Sequence, residues 1–318
     1  MSALRLAPVP VLQTAPHRLR EAILRAAAYA DVFDFPLTLF ELHRYLVGVP
    51  ASPGETASAL AGELGPGGRL RLVDGLVCLR GREGLAPLRR ERAGRSARCW
   101  PRALQYGRAL ARLPFVRMVA LTGSLAAWNL GTGGDLDYLV VTAPRRLWLC
   151  RGLAVLLVRW AAVRGERLCP NYFLDEDSLR TGPQDLYQAH ELAQMVPLSG
   201  LPVYARMRLE NAWSLRFLPN ASGPPPLTPR RAPASTGRAK EALEAALGGR
   251  LGSKLDAWEM RRKIRRLEAG AGEGTEALFC AGQCKGHLEG HAGRALAAYA
   301  ARLERLGLPP ETGGQFPS

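Results

Sequence analysis

The chain has 318 residues, which is longer than one ordinary domain, so two or three structural units are expected. Hydrophobic residues make up 47% of it and charged residues 22%, a composition typical of a globular protein with enough apolar material to form cores. The formal net charge of +15 makes a nucleic acid a candidate partner. Only four of the 43 basic residues are lysine, in a chain also rich in glycine and proline, so codon bias is an alternative source of the charge.

The cysteines and the most apolar stretch of the chain indicate where in the cell the protein is located. Six cysteines without a visible secretory signal indicate reduced intracellular thiols and argue against a disulfide framework. The most apolar stretch, Leu147–Val163, contains Arg151 and Arg159, and a charged residue in the middle of a bilayer is strongly unfavourable. We therefore expect a buried amphipathic helix here, no membrane partner and a cytoplasmic location.

After a tail of residues 1–16, residues 17–82 have the pattern of three helices followed by a hairpin. The apolar spacing predicts a first helix from His17 to Asp31 and a second over Leu39–Val47. Thr38 is placed to cap the second helix in a capping box with Glu41. Its inward positions are predicted to be Leu39, Leu42, Tyr45 and Leu46. A third helix is expected to begin near Ser52-Pro53 and to end near Leu64.

The end of this first unit has the alternation of β-strands. Residues 69–73 and 76–80 alternate in polarity, and Asp74-Gly75 between them is typical of a two-residue type I′ hairpin. Three helices followed by a hairpin is the order of a winged helix-turn-helix. The sequence therefore predicts a winged-helix-like domain, which adds to the case for a nucleic-acid partner.

Three further segments surround a central domain at 114–220. Residues 83–113 are predicted to be an arginine-rich helical connector, perturbed near Pro101, whose arginines either face solvent or bind nucleic acid. The arginines are Arg89, Arg90, Arg92, Arg95, Arg98, Arg102, Arg108 and Arg112. Residues 221–236 are expected to be a proline-rich linker, and residues 237–318 a helical C-terminal region.

The residues that indicate chemistry lie in the central domain. An apolar run, residues 115–121, predicts a strand that ends at Gly123-Ser124, which opens a helix over residues 125–130. After a glycine-rich loop, Asp135 and Asp137 begin a second strand and share one face of it with Leu139, because side chains alternate along a strand. Two carboxylates one strand repeat apart can bind the same ion.

A Gly-Ser pair followed after about ten residues by Asp-hydrophobic-Asp resembles the signature of the polymerase-β-like nucleotidyltransferase superfamily. The resemblance covers residues 114–180 well and the rest of the chain loosely. The chain is also similar to bacterial nucleotidyltransferase-domain proteins that carry an N-terminal winged helix, in the stretches Leu168–Leu174 and Ala189–Gln194. The implied fold class is α+β, with a mixed-sheet nucleotidyltransferase domain between the winged helix and the helical region.

The resemblance implies a Mg²⁺-dependent transfer of a nucleoside monophosphate from a triphosphate to a hydroxyl acceptor. Gly123 and Ser124 would hold the phosphates, because backbone N–H groups at a glycine turn bind anions. Asp135 and Asp137 would bind Mg²⁺, which neutralises the phosphates and activates the attacking hydroxyl. A second Mg²⁺ ion is expected only where a third carboxylate is present.

The place of that third carboxylate differs from the superfamily's pattern. Strict alternation along a predicted strand, residues 167–174, puts Cys169, Asn171, Phe173 and Asp175 on one face. Asn171 occupies the expected place but is a neutral amide, and Asp175 lies about 13 Å further along at about 3.3 Å per residue. Either Asp175 is the third metal ligand or the site has two carboxylates, and the second interpretation is favoured. The alternative function is therefore a catalytically degenerate nucleotide-sensing or nucleic-acid-binding regulator.

Two further groups of residues are weaker candidates. The spacing of Cys280, Cys284, His287 and His291 would suit a zinc ion, but is equally that of a turn entering the last helix with Lys285 exposed. In the predicted helix of residues 184–195, His190 and Glu191 are general-base candidates, although a surface position for the histidine is the simpler interpretation.

Overall fold

The structure, a computed structural model, describes residues 16–225, 237–268, 278–285 and 290–310. It is α+β, as predicted, and contains a small antiparallel sheet, a larger mixed sheet and a helical C-terminal region. The predicted tail, most of the predicted proline-rich linker and His287 lie outside the described residues. Over the described ranges, no helix is long and apolar enough to cross a membrane.

The N-terminal part alternates helices and short strands. Its elements are α1 (Pro16–Val32), β1 (Leu37–Thr38), α2 (Leu39–Arg44), α3 (Pro53–Ala61), β2 (Leu70–Val73) and β3 (Leu76–Leu79). The strands form an antiparallel sheet in the order β1-β3-β2. The two-residue β1 was not predicted, because two residues are too short to show an alternation.

Local side-chain signals set the ends of these elements. The capping box of Thr38 and Glu41 is confirmed, and Ser52 forms a second one with Glu55 at the start of α3. Asp74 and Gly75 both have positive φ, at 51° and 78°, as the predicted hairpin turn requires. The inward position predicted for Leu39 is wrong, because Leu39 is the first residue of α2 and is 41% exposed.

One long helix, α4 (Leu85–Ala111), follows the small sheet and runs unbroken through Pro101. The central part then contains β4 (Val116–Leu121), α5 (Gly123–Ala126), β5 (Leu136–Thr142), α6 (Leu147–Ala162), β6 (Leu168–Asp175), α7 (Leu186–Gln194), β7 (Val196–Ser199), α8 (Leu201–Glu210) and α9 (Ser214–Phe217). The helix predicted over residues 125–130 is shorter than expected.

The C-terminal part is helical but also completes the central sheet. It contains α10 (Arg238–Leu247), α11 (Arg250–Glu268), β8 (Leu278–Phe279), β9 (Gln283–Lys285) and α12 (His291–Arg305). The sheet order is β7-β4-β5-β6-β9-β8, in which only β5 and β6 are parallel. The exposure expected for Lys285 is wrong, since this residue lies on β9 and is 8% exposed.

A β-bulge in β6 changes which side chains share a face. The register shifts between two pairs, Tyr138 with Pro170 and Leu139 with Tyr172. Asn171 is the extra residue, so beyond it the alternation is reversed, with Tyr172 and Phe173 in cores on opposite sides of the sheet. The common face predicted for Cys169, Asn171, Phe173 and Asp175 is therefore wrong.

The N-terminal and central parts share one core. One face of the central sheet, with Met118, Leu139 and Leu174, belongs to the same hydrophobic core as Ile23 and Leu24 of α1. The opposite face is covered by α4 and α6. The first helix is therefore placed over the end of the sheet that carries the two aspartates.

Candidate functional site

The turn after β4 brings the backbone close to the β5 aspartates. Gly123 has φ +66°, and a Cβ at this position would overlap the carboxylate of Asp137. Only glycine accepts both the left-handed backbone and the close approach without strain. Thr122 donates its backbone N–H to the carbonyl of Asp137 at 3.0 Å. Ser124 follows in the turn and lines the same cavity as both aspartates.

Asp135, Asp137 and Leu139 line one cavity, which confirms that they share a face. Asp135 forms an ion pair with Arg167 at 2.8 Å, and both side chains are partly open to solvent. Asp137 accepts a hydrogen bond from Asn171 Nδ2 at 3.0 Å. The bulge places this amide directly beside the aspartate, in the position expected for a third carboxylate.

The surroundings of Asp137 favour its protonated form in the absence of a cation. Burial is the main cause that raises the pKa of this carboxyl to about 7, and the charges of Glu191 and Asp135 raise it further. The Cys169 thiol beside it acts in the opposite direction through a hydrogen bond. Burial and the two aspartates raise the pKa of that thiol to about 12. A cation would relieve the repulsion among these carboxylates.

Glu191 is the third carboxylate of the cavity. It lies on α7, lines the cavity with Asp135 and Asp137, and acts on the pKa of Asp137. Burial raises the pKa of Glu191 itself, while the charge of Lys285 lowers it. Its place in the predicted helix of residues 184–195 made this residue a general-base candidate, but nothing in the strand pattern could place it beside the aspartates.

His190, the neighbour of Glu191, is buried, so the surface position favoured for it from sequence is wrong. Its side chain is 5% exposed and stacks on Tyr29 of α1 with ring centroids 3.9 Å apart. Burial lowers the pKa of the imidazole to about 3, so the ring is neutral near pH 7. The helix pattern alone could not show this contact, because α1 is more than 150 residues away in sequence.

The structure does not bring Asp175 to the site. Asp175 pairs with Thr142 at the far end of the β5–β6 ladder, whereas Asp137 pairs with Cys169. Its Oδ1 accepts the backbone N–H of Asp177, and it does not line the cavity. Five residues of β5 separate these two pairs, or about 17 Å at about 3.3 Å per residue. The doubtful assignment of Asp175 as a metal ligand is therefore not supported by its position.

No group of three or more His, Cys, Asp or Glu side chains is arranged to hold a metal ion within the described ranges. Cys284 is buried in the core between the sheet and α6, while Cys280 is exposed, and His291 begins α12. The fourth residue of the zinc pattern, His287, is outside the described part of the chain.

The cavity has a volume of about 680 Å³ and is lined by two kinds of side chain. The polar lining comprises the three carboxylates, the Gly123 turn and Lys285. The remaining lining, called the aromatic end below, consists of aromatic and apolar side chains of the N-terminal part: Ala26, Tyr29, Ala30, Phe33, Phe35, Leu37 and Tyr45. A cavity of this size accommodates one small molecule or cofactor.

No family model matches the chain, and neither the curated proteins nor the solved structures contain a match to it.

Proposed function

We propose that the chain is a Mg²⁺-dependent nucleotidyltransferase that moves a nucleoside monophosphate from a triphosphate to a hydroxyl acceptor. The observation that carries this proposal is the arrangement around Asp137. A left-handed glycine turn, a second aspartate just before the same strand and a glutamate from α7 line one cavity. The Gly-Ser…Asp-x-Asp resemblance of the sequence points to the same reaction.

The donor set fits a magnesium ion. Mg²⁺ prefers oxygen ligands and is usually bound through one or two carboxylates together with substrate phosphates. Asp135 and Asp137 supply such a pair, and the pKa of Asp137 is raised mainly by burial and further by the charges of Glu191 and Asp135, which a cation would offset. When bound, the metal would neutralise phosphate charge and favour ionisation of the acceptor hydroxyl.

The chain's own residues have distinct roles in this proposal. The open backbone at Gly123 and the hydroxyl of Ser124 would hold the phosphates. Glu191 would accept the proton of the acceptor hydroxyl. The hydroxyl oxygen would then bond to the α-phosphorus of the triphosphate while pyrophosphate leaves. Burial suits Glu191 to this role, because a raised pKa makes a carboxylate a better base. Lys285 lies close enough to lower that pKa and to limit the shift.

The N-terminal part is proposed to be a winged helix. Support comes from the element order α1-β1-α2-α3-β2-β3 and from the sheet order β1-β3-β2. Its α3, the position of a recognition helix, contains no lysine or arginine. Since α1 lines the cavity, we propose that this part closes the site of the transferase.

One observation favours a second function, a nucleotide-binding regulator without transfer. Asn171 donates a hydrogen bond to Asp137 in the position expected for a third carboxylate. A neutral amide is a poor Mg²⁺ ligand and cannot act as a base. In that case the nucleotide would bind but would not be consumed.

Transfer from α-labelled nucleoside triphosphates tests both proposals. The purified chain is incubated with Mg²⁺, each triphosphate and small-molecule or macromolecular fractions of cells. We expect label in an acceptor with the wild type and with D177N, which alters an exposed aspartate outside the cavity. E191Q should bind triphosphate without transferring it, and D137N should lose metal-dependent binding. Binding without transfer by the wild type would favour the regulator, and absence of any triphosphate binding would overturn both.

A further inference from the structure

The aromatic end of the cavity contains a buried histidine with both ring nitrogens unpartnered. His190 Nδ1 and Nε2 have no hydrogen-bond partner within the described part of the chain, although the side chain is 5% exposed. Leaving a buried polar atom without a partner costs about 1–3 kcal/mol. Such atoms are rare in folded proteins and often mark a place where a ligand supplies the missing partner.

The rings around His190 are arranged for stacking. Tyr29 lies parallel to the imidazole, with 8° between the ring planes, and Tyr45 packs at an angle of 43°. Phe33 continues the row from Tyr29 with centroids 5.4 Å apart. All four rings line the cavity, so a flat ring bound beside them would pack against aromatic side chains, which is favourable.

The edge chemistry of this end suits a ring that carries its own polar atoms. A neutral imidazole has one N–H donor and one acceptor nitrogen, and the low pKa of His190 keeps it in that form. The amide side chains of Gln188 and Gln194 also line the cavity. The amide of Gln188 already contacts Thr181 and Lys285. His190 and Gln194 are therefore the groups that can satisfy donors and acceptors on the rim of a heteroaromatic ring, which a plain hydrocarbon ring does not offer.

Glu191, the proposed general base for the acceptor hydroxyl, lies next to the aromatic end of the cavity. Glu191 follows His190 directly in α7, so the ring-binding end adjoins the proposed general base. The triphosphate is assigned to the Gly123 turn of the same cavity. Helix α1 and the Phe35 segment cover the aromatic end, which leaves a cavity of about 680 Å³ suited to a small molecule.

We propose that the acceptor is a small molecule with a nucleobase-type heteroaromatic ring, which stacks in the Tyr29–His190 end of the cavity and presents its hydroxyl to Glu191. This assignment rests on the proposed transferase function for the role of the hydroxyl. The ring-binding site itself is a property of the cavity and can be measured without any transfer.

Calorimetric titration of the full chain with adenosine, guanosine, cytidine and uridine tests the site, with ribose as the ring-less control. We expect at least one nucleoside to bind and ribose not to bind. H190F keeps a flat ring of similar size but removes both nitrogens, and should weaken binding about tenfold, equivalent to one hydrogen bond. Y29L should weaken it by removing the stacking partner. H17F, on the exposed start of α1, should leave it unchanged.

Each outcome separates this proposal from the proposed function. Wild-type binding of Mg²⁺-tripolyphosphate without binding of any nucleoside would overturn the ring site and leave the transferase proposal standing. Failure of Mg²⁺-tripolyphosphate to bind would instead count against the transferase. Equal nucleoside affinities for the wild type and H190F would remove the histidine from the site. If H190F weakens the binding of nucleoside triphosphates but not of nucleosides, the ring in this site is that of the donor. Much tighter binding of an RNA oligonucleotide than of any nucleoside would exclude a small acceptor.

Discussion

At residue 123 the backbone, and not a side chain, determines whether the site can form. A Cβ there would enter the space of the Asp137 carboxylate, and the left-handed φ adds strain for any other residue. The sequence pattern identified this glycine, and the structure supplies the reason for it. The same pattern could not identify Glu191, whose role depends on the packing of α7 against the sheet.

We expect Gly123→Ala to lower the free energy of unfolding by about 1–3 kcal/mol, from backbone strain and the displaced aspartate. It should also abolish Mg²⁺-dependent triphosphate binding. Gly131→Ala is the matched control, because a Cβ there meets no atom within 4 Å. Urea unfolding and calorimetric titration measure the two effects. A G123A variant that binds triphosphate as the wild type does would show that the turn is not part of the site.

The position of Asn171 gives a second expectation. Asn171→Asp would replace a hydrogen-bond donor to Asp137 with a like charge, so the metal-free protein should lose about 1–3 kcal/mol of stability. Added Mg²⁺ should restore stability more in N171D than in the wild type, since a third charged oxygen strengthens cation binding. Thermal unfolding with and without Mg²⁺ measures this difference, and an equal metal response in the two proteins would contradict the placement.

His190 predicts a specific dependence of stability on pH. Its pKa is about 3 in the folded protein against 6.5 in a free side chain, so only the unfolded chain gains the proton between these values. The contribution of neutral His190 to stability is complete above pH 6.5 and is lost as the pH falls toward 3.

Asp137, with its pKa raised from 3.8 to about 7, acts in the opposite direction. Its effect lowers the stability as the pH rises from about 3.8 to about 7.

H190F has no imidazole to take up a proton on unfolding. Its free energy of unfolding, relative to that of the wild type, should therefore rise by a few kcal/mol at most as the pH falls below about 6.5. Urea unfolding of both proteins across this range measures it. Subtracting the two curves removes the contribution of Asp137, which is common to both. A difference that stays constant with pH would mean that the imidazole can take up a proton in the folded protein.

Among the elements, α4 shows how an arginine-rich helix can serve the fold. Arg89, Arg92 and Arg95 lie three residues apart and donate to the consecutive loop residues Trp128, Asn129 and Leu130. This loop connects the Gly123 turn to Asp135. Other arginines of the helix form ion pairs: Arg90 with Asp74 and Arg102 with Glu166. The nucleic-acid partner suggested by the charge stays a prediction, but these side chains already have partners inside the molecule.

Substitution of Arg89 tests whether the arginines of α4 stabilise the fold. Arg89 is 8% exposed, pairs with Glu41 at 2.9 Å and lies 4.0 Å above the ring of Phe35. Arg89→Ala removes the partner of the partly buried Glu41 Oε1 and of the Trp128 carbonyl, so we expect a loss of about 3 kcal/mol. Arg98→Ala, on the exposed face of α4, should change stability by less than about 0.5 kcal/mol. Equal unfolding free energies for the two variants would contradict the structural role.

At the scale of the whole molecule, local signals predicted the elements better than their assembly. Capping residues and the Asp74-Gly75 turn set element ends through neighbours in sequence. The bulge at Asn171, the burial of His190 and the addition of β9 to the central sheet depend on partners far along the chain. The sequence motif therefore predicted the glycine turn and the two aspartates of the candidate site. Glu191 and the aromatic end of the cavity depend on long-range packing and could not be predicted.

The central claim is that Asp135 and Asp137 bind a divalent cation together with a triphosphate. Electron paramagnetic resonance of Mn²⁺, titrated into the chain with a non-hydrolysable nucleoside triphosphate, measures this directly. We predict nucleotide-dependent Mn²⁺ binding by the wild type and by D177N, and binding at least about tenfold weaker for D137N, the loss expected when a charged metal ligand is removed. Mn²⁺ affinity in D137N equal to that of the wild type would contradict the account.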